Sequence, residues 1–433
     1  MAVSQNKKGS LMLEICLSIA LFTIIISYTS LSLSGITSAS GSIESSRTLL
    51  YKHKEYLENA IAAEKTMVFE STSEFITLRN STPCRTILST PLLFTLIVDS
   101  VYKEAIGHDC GGTEPLLSNS PQSKVSTSFG TTTAFDVVNN KAFITRSSAS
   151  STEVNFIIAD LDKDMLEISR LSTGNNFNTI DVTSEYAYIA ARGTENQFHI
   201  INIQDPYNPI LSSKTSLPGV AGSYPDAISI FYYNSKVYIG THRTAGREFH
   251  IFDVASPANP KWLGSLEVNH NINAIAVRGN YAYLATSGNT KDLIVLNIEN
   301  PSRIAIASSL SFLGNEDTLS LHLLGNTLYS GRAKSIDKNH PEIVILNIQN
   351  PLQPLVTGSI HIGAKIENLK MGGTTLYTSV IGPKPGLYSF SVTSMASTTA
   401  QIITPSKIPI VDIDYEDKKL YTLSQSGVIT KYE

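Results

Sequence analysis

A strand motif recurs seven times between residues 124 and 433, and it constrains the fold more than any other feature. A typical copy reads "INAIAVRGNYAYLAT" and then "DLIVLNIENPSRIAIASSL", which gives short strands separated by a Gly/Asn turn, a variable loop and a Pro-rich turn. One aromatic residue aligns in every copy: Phe143, Tyr188, Tyr238, Tyr283, Tyr329, Tyr377 and Tyr421. Successive aromatics lie 45, 50, 45, 46, 48 and 44 residues apart. A period in the forties with four strands per unit is typical of propeller blades. The repeat therefore predicts an all-β seven-bladed propeller.

The two ends of the repeat region predict how the ring closes. The last copy supplies only three strands before Glu433, in "VDIDYE", "KLYTL" and "GVITKYE". An unassigned strand, "KVSTSF", lies just before the first copy at residues 124–129. Pairing of these two ends would complete the seventh blade and cover strand edges that otherwise promote aggregation.

The third strand and the turn after it are the most regular part of each copy. The segments "LIVLNIENP", "HIFDVASPANP" and "IVILNIQNPLQP" resemble the bacterial LVIVD-repeat family. The resemblance is clear in the second to fifth copies. It implies a propeller at the cell surface and no established chemistry.

The N-terminal region predicts a membrane segment. Residues 11–33, "LMLEICLSIALFTIIISYTSLSL", form an apolar run of 23 residues, long enough to span a bilayer as a helix. Lys7 and Lys8 precede the run, so we expect the short N-terminus to stay inside. The alternative is a secretory signal peptide, for which "SASGS" at 38–42 offers a cleavage site.

The start of this run, "KKG" followed by "SLMLE", resembles the class III signal of type IV pilins and pseudopilins. The resemblance implies that a prepilin peptidase cleaves between Gly9 and Ser10, and that Glu14 serves filament assembly. Ser10 stands where the family usually has Phe. A freed α-amino group and the Glu14 carboxylate could neutralise each other between neighbouring pilin-like subunits, which removes the cost of a buried charge. The expected partners are therefore the peptidase, other pilin-like subunits and the membrane.

These observations predict a multidomain chain. Its parts are a leader at 1–9, a long transmembrane and stalk α-helix at 10–64, a small α/β-like pilin region at 65–123 and the propeller at 124–433. Of the three cysteines, Cys16 lies in the apolar run, so Cys84 and Cys110 are the expected disulfide pair. A structural disulfide would place this region outside the cytosol. The net charge of −4 gives no footprint for nucleic acid.

Residues that could carry chemistry also have structural explanations. Asp160, Asn202, Asp253, Asn297 and Asn347 occupy one repeat position before the Pro-rich turn, where a side-chain oxygen can accept hydrogen bonds from its own loop. Asp160, Asp162 and Asp164 have the spacing of a calcium loop but lack its glycine and its final glutamate. His199 and His250 share a repeat position, which indicates packing rather than metal binding. No catalytic motif is present, and we expect no cofactor and no metal.

The loops between the second and third strands vary in length and character, and repeat folds often bind through such loops. The candidate binding residues lie in two of them: His242, Arg243 and Arg247 in "THRTAGRE", and Arg332, Lys334 and Lys338 in "GRAKSIDKNHP". The sequence predicts a minor or tip pilin-like subunit that displays the propeller for adhesion to a surface protein or glycan. We expect the cytoplasmic membrane or the cell surface as its location. The alternatives are an anchored propeller outside any filament and an exported propeller enzyme, which would need carboxylates converging at the channel.

Overall fold

The computed structural model describes residues 71–72, 75–76, 124–126, 131–147, 153–163, 165–220, 222, 225–288, 290–373, 375–391, 401–406 and 408–432. The chain divides into two units, Met1–Gly111 and Gly112–Glu433. In the first unit, β1 (Ser71–Thr72) and β2 (Phe75–Ile76) pair as an antiparallel hairpin.

The second unit is a seven-bladed propeller in which every blade is a four-stranded antiparallel sheet. Blade 1 consists of β4 (Thr131–Val138), β5 (Lys141–Ser147), β6 (Phe156–Asp160) and β7 (Leu166–Leu171). Blade 2 consists of β8 (Phe177–Val182), β9 (Tyr186–Ala191), β10 (Phe198–Asn202) and β11 (Ile210–Thr215). Blade 3 consists of β12 (Ala227–Tyr233), β13 (Lys236–Thr241), β14 (Phe249–Asp253) and β15 (Lys261–Leu266). Blade 4 consists of β16 (Ile272–Arg278), β17 (Tyr281–Thr286), β18 (Leu293–Asn297) and β19 (Ala305–Leu310). Blade 5 consists of β20 (Thr318–Leu324), β21 (Thr327–Arg332), β22 (Ile343–Asn347) and β23 (Leu355–Ile360). Blade 6 consists of β24 (Lys365–Gly372), β25 (Thr375–Ile381), β26 (Gly386–Ser391) and β27 (Gln401–Pro405). Blade 7 consists of β28 (Ile410–Glu416), β29 (Lys419–Ser424), β30 (Val428–Tyr432) and β3 (Lys124–Ser126).

The ring closes as the sequence predicts. The last strand, β30, pairs with β3 in antiparallel register, so that Val125 lies opposite Ile429. The inner strands contact one another in succession around the ring, and β28 of blade 7 contacts β4 of blade 1. The edge of β30 is therefore covered by a strand from the other end of the propeller.

The repeated aromatic residue packs in the cores between adjacent blades. The seven aligned aromatics lie on the second strands and are at most 5% exposed. Tyr188, for example, packs with Ile230 and Val237 of blade 3, and Tyr283 packs with Leu328 and Val344 of blade 5. Seven such cores join the blades, and the last one sets Tyr421 against blade 1. The period in the sequence is thus the spacing of the packing contacts between blades.

A second set of contacts joins the outer parts of the blades. On the fourth strands, Ser169, Ser213 and Ser308 donate hydrogen bonds to the carbonyl groups of Pro206, Pro257 and Pro351 in the next blade. Blade 3 has Gly264 at this position, and a Cβ there would lie 1.8 Å from the carbonyl oxygen of Pro301. The Pro-rich turns therefore dock each blade onto its neighbour.

The predicted multidomain fold class is wrong for the residues that the structure describes. They form an all-β fold, and their helical content is the single 3-10 turn Pro301–Arg303. Among the described residues we find no helix with the length and hydropathy of a membrane span. An apolar run indicates only that a segment avoids water, whereas here the strand repeat decides the fold. The predicted leader and helix, with Gly9, Ser10 and Glu14, and the cysteines Cys84 and Cys110 lie outside the described residues.

Candidate functional site: the central channel and the loop face

The antiparallel order of the strands gives each blade two different ends. The hairpin turns between first and second strands and the Pro-rich turns between third and fourth strands lie at one end, which we call the turn face. The connections between second and third strands, and those that lead to the next blade, lie at the other end, which we call the loop face. Residues of the two faces are therefore separated by the length of the strands.

The turn face is built from repeated local hydrogen bonds. In five blades the residue that ends the third strand accepts a hydrogen bond from the backbone N–H two residues ahead: Asp160, Asn202, Asp253, Asn297 and Asn347, at 2.8 to 3.1 Å. The predicted structural role of this position is confirmed. The hairpin turns also need special backbone conformations, as at Asn139 and Asn140, whose φ angles are 54° and 56°.

The calcium hypothesis gains no support from this region. Asp160 uses one carboxylate oxygen for its own turn and lies 3.6 Å from the Lys163 ammonium through the other. Asp162 accepts a hydrogen bond from the Asn140 side chain, and Asp164 lies outside the described residues. Across the described residues no group of His, Cys, Asp or Glu side chains has the arrangement of a metal site.

Carboxylates do converge at the central channel, as the enzyme alternative requires. The residues that pair with the seven repeated aromatics form one level of the channel: Asp136, Asp181, Phe231, Ala276, His322, Lys370 and Asp414. No single copy of the repeat shows this cluster, because each blade contributes one member. Its chemistry depends on what the carboxylates contact.

Each of these carboxylates accepts a hydrogen bond from the backbone of the next blade. Asp136 accepts one from the Val182 N–H at 2.8 Å, and Asp181 accepts one from the Tyr232 N–H at 2.6 Å. The inner strand of a blade is an edge strand whose N–H groups need partners. The carboxylates supply those partners, so they join the inner strands of blades 1 to 3.

The interface between blades 7 and 1 carries three such contacts in a row, which we call the carboxylate ladder. Asp412 accepts a hydrogen bond from the Phe135 N–H at 3.0 Å, and Asp414 accepts one from the Val137 N–H at 2.7 Å. Glu416 accepts hydrogen bonds from the N–H groups of Asn139 and Asn140 at 2.7 and 3.1 Å. Alternate residues of β28 thus hold N–H groups of β4 and of the turn that follows it, at the point where the ring closes.

The electrostatics of the channel follow from burial and from one ammonium group. Burial raises the pKa of Asp412 to about 7 and that of Asp181 to about 6. Burial and the neighbouring Asp414 raise the pKa of Asp136. Burial opposes ionisation of Asp414 as well, but the Lys370 ammonium, 2.7 Å away, holds its pKa below the usual value. One carboxylate is therefore paired with a cation, while its neighbours keep a proton up to a higher pH than an exposed aspartate does.

On the loop face, a buried polar residue links the loop between the second and third strands to the connection that leads to the next blade. The residue before the third strand is at most 1% exposed in five blades: Asn155, Gln197, Glu248, Asp292 and Glu342. Its side-chain oxygen accepts backbone hydrogen bonds from the segment after the fourth strand, as Glu248 does from Val268 and Asn269. Sequence reasoning missed this position. The signal was present, since a polar residue precedes the apolar third strand in all five copies.

Arg332 is wrongly placed among the candidate binding residues. Its side chain is fully buried, and its guanidinium donates hydrogen bonds to the carbonyl groups of Leu313, Pro341 and Glu316. It also lies 3.4 Å from a carboxylate oxygen of Asp292. Arg332 therefore stabilises the loop of blade 5 through buried hydrogen bonds, and its side chain is not available to a partner.

The other predicted residues lie on the loop face, but in two separate blades. His242 is half-buried and Arg243 and Arg247 are exposed in the loop of blade 3, where Arg247 donates a hydrogen bond to the Ser265 hydroxyl. Lys334 and Lys338 are exposed in the loop of blade 5. The structure therefore places these five residues on one face without bringing them into one cluster.

Two basic residues that sequence reasoning missed lie in the connections next to that of Arg243. His270 belongs to the connection that leads from blade 3 to blade 4, and Lys291 belongs to the loop of blade 4. The His270 ring lies against that loop, since a Cβ at Gly288 would come within 2.8 Å of its Nδ1 atom. Burial, together with the charges of Lys291 and Arg243, lowers the pKa of His270. We call Arg243, His270 and Lys291, on three consecutive connections, the basic cluster.

His199 and His250 occupy equivalent third-strand positions and are fully buried. Burial lowers the pKa of His199 to about 3 and that of His250 to about 4, so both rings are neutral at pH 7. The His199 ring packs edge-on against Phe177, with ring centroids 5.1 Å apart. This packing agrees with the role predicted for the pair.

Comparison with known proteins supports the repeat and the fold. The LVIVD repeat model matches residues 176–216 and 271–311, which form most of blades 2 and 4. A chain in the crystal structure of the mitotic checkpoint complex is similar over 75% of this chain and 95% of that chain, with 10% identity and a TM-score of 0.57. The β-propeller domain of Cps50 (Swd1) from Myceliophteria thermophila is similar over 71% of this chain and 98% of that chain, with 14% identity and a TM-score of 0.51. At these identities the likeness shows the fold alone. No curated protein matches the sequence.

Proposed function

We propose that the LVIVD-repeat propeller is a binding module that captures a partner through its loop face and performs no catalysis. The observation that carries this proposal is the contrast between the two faces. Turn-face hydrogen bonds repeat from blade to blade, whereas the loops between second and third strands range from residues 425–427 to residues 333–342. Binding residues concentrate on variable loops that a rigid scaffold positions.

The contacts of the channel carboxylates support the non-catalytic part of the proposal. Asp136, Asp181, Asp412 and Asp414 each accept a backbone hydrogen bond from the next blade. A catalytic carboxylate needs an oxygen within reach of a substrate proton. These groups instead satisfy strand edges, and replacing one of them would disturb the contact between two blades.

The proposal can be tested by replacing two loops while retaining the buried charged residues beneath them. Residues 242–247 and 333–341 would be exchanged for Gly/Ser linkers, with Glu248, Arg332 and Glu342 retained because they hold the fold. We expect the variant to unfold at a temperature close to that of the parent protein and to lose binding to cells or captured partners. A matched control, Lys261→Ala on an outer strand, should keep binding. Full binding by the folded loop variant, or turnover of a glycan or peptide substrate by the propeller, would contradict the proposal.

We further propose that the propeller is displayed outside the cell, on a type IV filament or a related assembly. The support is the sequence "KKGSLMLE", in which Gly9, Ser10 and Glu14 match the positions of a class III signal. N-terminal sequencing of the mature protein should begin at Ser10. A start near residue 40 would instead identify a conventional signal peptide, and immunogold labelling of cells with and without the assembly machinery would separate filament display from simple anchoring.

A further inference from the structure

The basic cluster on the loop face has a specific frame of hydrogen bonds. The Asn271 Oδ1 atom accepts a hydrogen bond from the Arg243 backbone N–H at 2.8 Å, which fixes the loop of blade 3 against the start of blade 4. The Ser287 N–H donates to the Asn271 carbonyl at 3.3 Å, which fixes the loop of blade 4 to the same residue. Asn271 thus lies between the two loops that carry Arg243 and Lys291.

The two outer cations of this cluster have no ion-pair partner among the described residues, and neither the Arg243 guanidinium nor the Lys291 ammonium forms a side-chain hydrogen bond there. The charge of the buried Glu248 acts to raise the pKa of His270. Both Glu248 carboxylate oxygens, however, already accept hydrogen bonds from the N–H groups of Thr244, Val268 and Asn269. The exposed acid in these connections is Glu267, at the outer end of the segment.

Comparison of the blades shows why this cluster is positive. The residue before the inner strand is an acid in blades 3 and 5, Asp226 and Asp317, and a neutral amide in blades 2 and 4, Asn176 and Asn271. The Asp226 Oδ1 atom accepts a hydrogen bond from the Gly193 N–H at 2.9 Å, which is the same bond that Asn271 makes to Arg243. An aspartate at 271 could accept the same backbone bond, but it would place a negative charge beside Arg243, which the amide avoids.

The polar surface around the cluster indicates what kind of molecule carries the anion. The amide groups of Asn271 and Asn273 meet at the Ser287 hydroxyl, at 3.4 and 2.9 Å. Amide and hydroxyl groups of this kind can exchange hydrogen bonds with sugar hydroxyls. In the described residues of the three connections no large apolar side chain is exposed, whereas a protein partner is usually anchored by buried aromatic or apolar contacts.

We propose that Arg243, His270 and Lys291, arranged around Asn271, bind the carboxylate or sulfate group of an acidic glycan. Arg243 offers the planar pair of N–H donors that matches such an oxyanion, and Lys291 adds a point charge from the opposite loop. The inference rests on the proposed binding function and assigns the ligand class and one place on the loop face. An oxyanion bound here would also relieve the repulsion on His270 and raise its pKa.

The test measures binding of the full-length protein to a heparin-derived hexasaccharide by calorimetry. We expect the parent protein to bind it, with an affinity that falls as salt is added, and not to bind neutral maltohexaose. Asn271→Asp and Lys291→Ala should each weaken binding about tenfold, since a charge-assisted hydrogen bond contributes roughly that factor. Lys334→Ala is the matched control, because Lys334 occupies the position of Arg243 in blade 5 but Ala364 stands at the position of Asn271 in the next blade. This variant should leave the affinity unchanged.

Several outcomes would overturn the inference. These are absence of hexasaccharide binding by the parent protein, equal weakening by Lys334→Ala, or equally tight binding of hexaglutamate, which would indicate a peptide ligand. A second readout is the NMR titration of the His270 ring, assigned with His270→Gln. Saturation with the hexasaccharide should raise its pKa, and an unchanged pKa would place the ligand elsewhere. If the hexasaccharide does not bind but the loop exchange still abolishes cell binding, this site is refuted and the proposed function stands.

Discussion

Replacing Asp412 with asparagine should change the pH dependence of stability in a direction that the carboxylate ladder defines. Burial raises the pKa of this carboxyl group from 3.8 to about 7. Between these values the folded protein holds a proton that the unfolded chain has released, so the stability that Asp412 contributes falls as the pH rises through this window. The asparagine amide would keep an oxygen acceptor for the Phe135 N–H and would remove the charge.

The expected magnitude follows from the size of the shift. The full change from 3.8 to about 7 corresponds to at most about 4 kcal/mol. Asp412 is half-buried, so solvent screens part of its charge and we expect about 1–2 kcal/mol. The amide also loses the acceptor for the Ile413 N–H, which costs about 1 kcal/mol at every pH. Only the pH-dependent part is diagnostic.

The assay is urea unfolding of the parent protein and of Asp412→Asn at pH 4, 6 and 8. The free energy of unfolding of the variant, relative to the parent, should increase by about 1–2 kcal/mol from pH 4 to pH 8. Asp414→Asn should show no such increase between pH 4 and pH 8, because Lys370 holds the pKa of Asp414 below 3.8 and the stability of the ionised group is lost only below that value. A difference for Asp412→Asn that stays constant with pH, or that decreases, would refute this account of the ladder.

Three further predictions concern packing and closure. Gly264→Ala should lower the free energy of unfolding by about 2 kcal/mol, because the new Cβ would meet the Pro301 carbonyl. Ser308→Ala should lower it by only about 1 kcal/mol, because it loses one hydrogen bond. Scanning calorimetry would compare the two variants, and equal effects would contradict the steric argument. His199→Leu should reduce the loss of stability between pH 7 and pH 4.5, because burial keeps the ring of the folded protein neutral while the unfolded chain binds a proton there. Urea unfolding of both proteins at the two pH values tests this, and an unchanged loss would contradict it. A chain that begins at residue 131 should melt at a lower temperature than one that begins at 120, because β30 loses its partner strand; identical melting would show that closure does not need β3.

The repeat architecture could be predicted from the sequence because each blade makes its own regular contacts. The aligned aromatic residue marks the core between two blades, and the Asp or Asn before the Pro-rich turn bonds to its own loop. Both roles recur at a fixed spacing along the sequence. Ring closure was also predictable, since the last copy lacked one strand that the segment before the first copy could supply.

The site residues were harder to predict because they come from different blades. Arg332 looks like an exposed loop cation in the sequence, but Asp292, about 40 residues earlier, meets its guanidinium across two blades. Arg243, His270 and Lys291 lie in three separate connections, and only the rotation from blade to blade brings them together. A residue's repeat position indicates its strand and face, whereas its neighbours across blades depend on the closed ring.

The channel and the loop face therefore differ in what they leave open to a ligand. In the channel, Asp136, Asp181 and the ladder residues bind the backbone of the following blade, so their acceptor oxygens already have partners. On the loop face, Asn271 makes the same backbone bond that Asp226 makes one blade earlier, but it adds no charge to offset the cations beside it. Either an acid or an amide can accept this backbone bond, so the bond by itself does not select the amide at 271. The neutral side chain keeps the surface beside Arg243 suited to the anion that we propose.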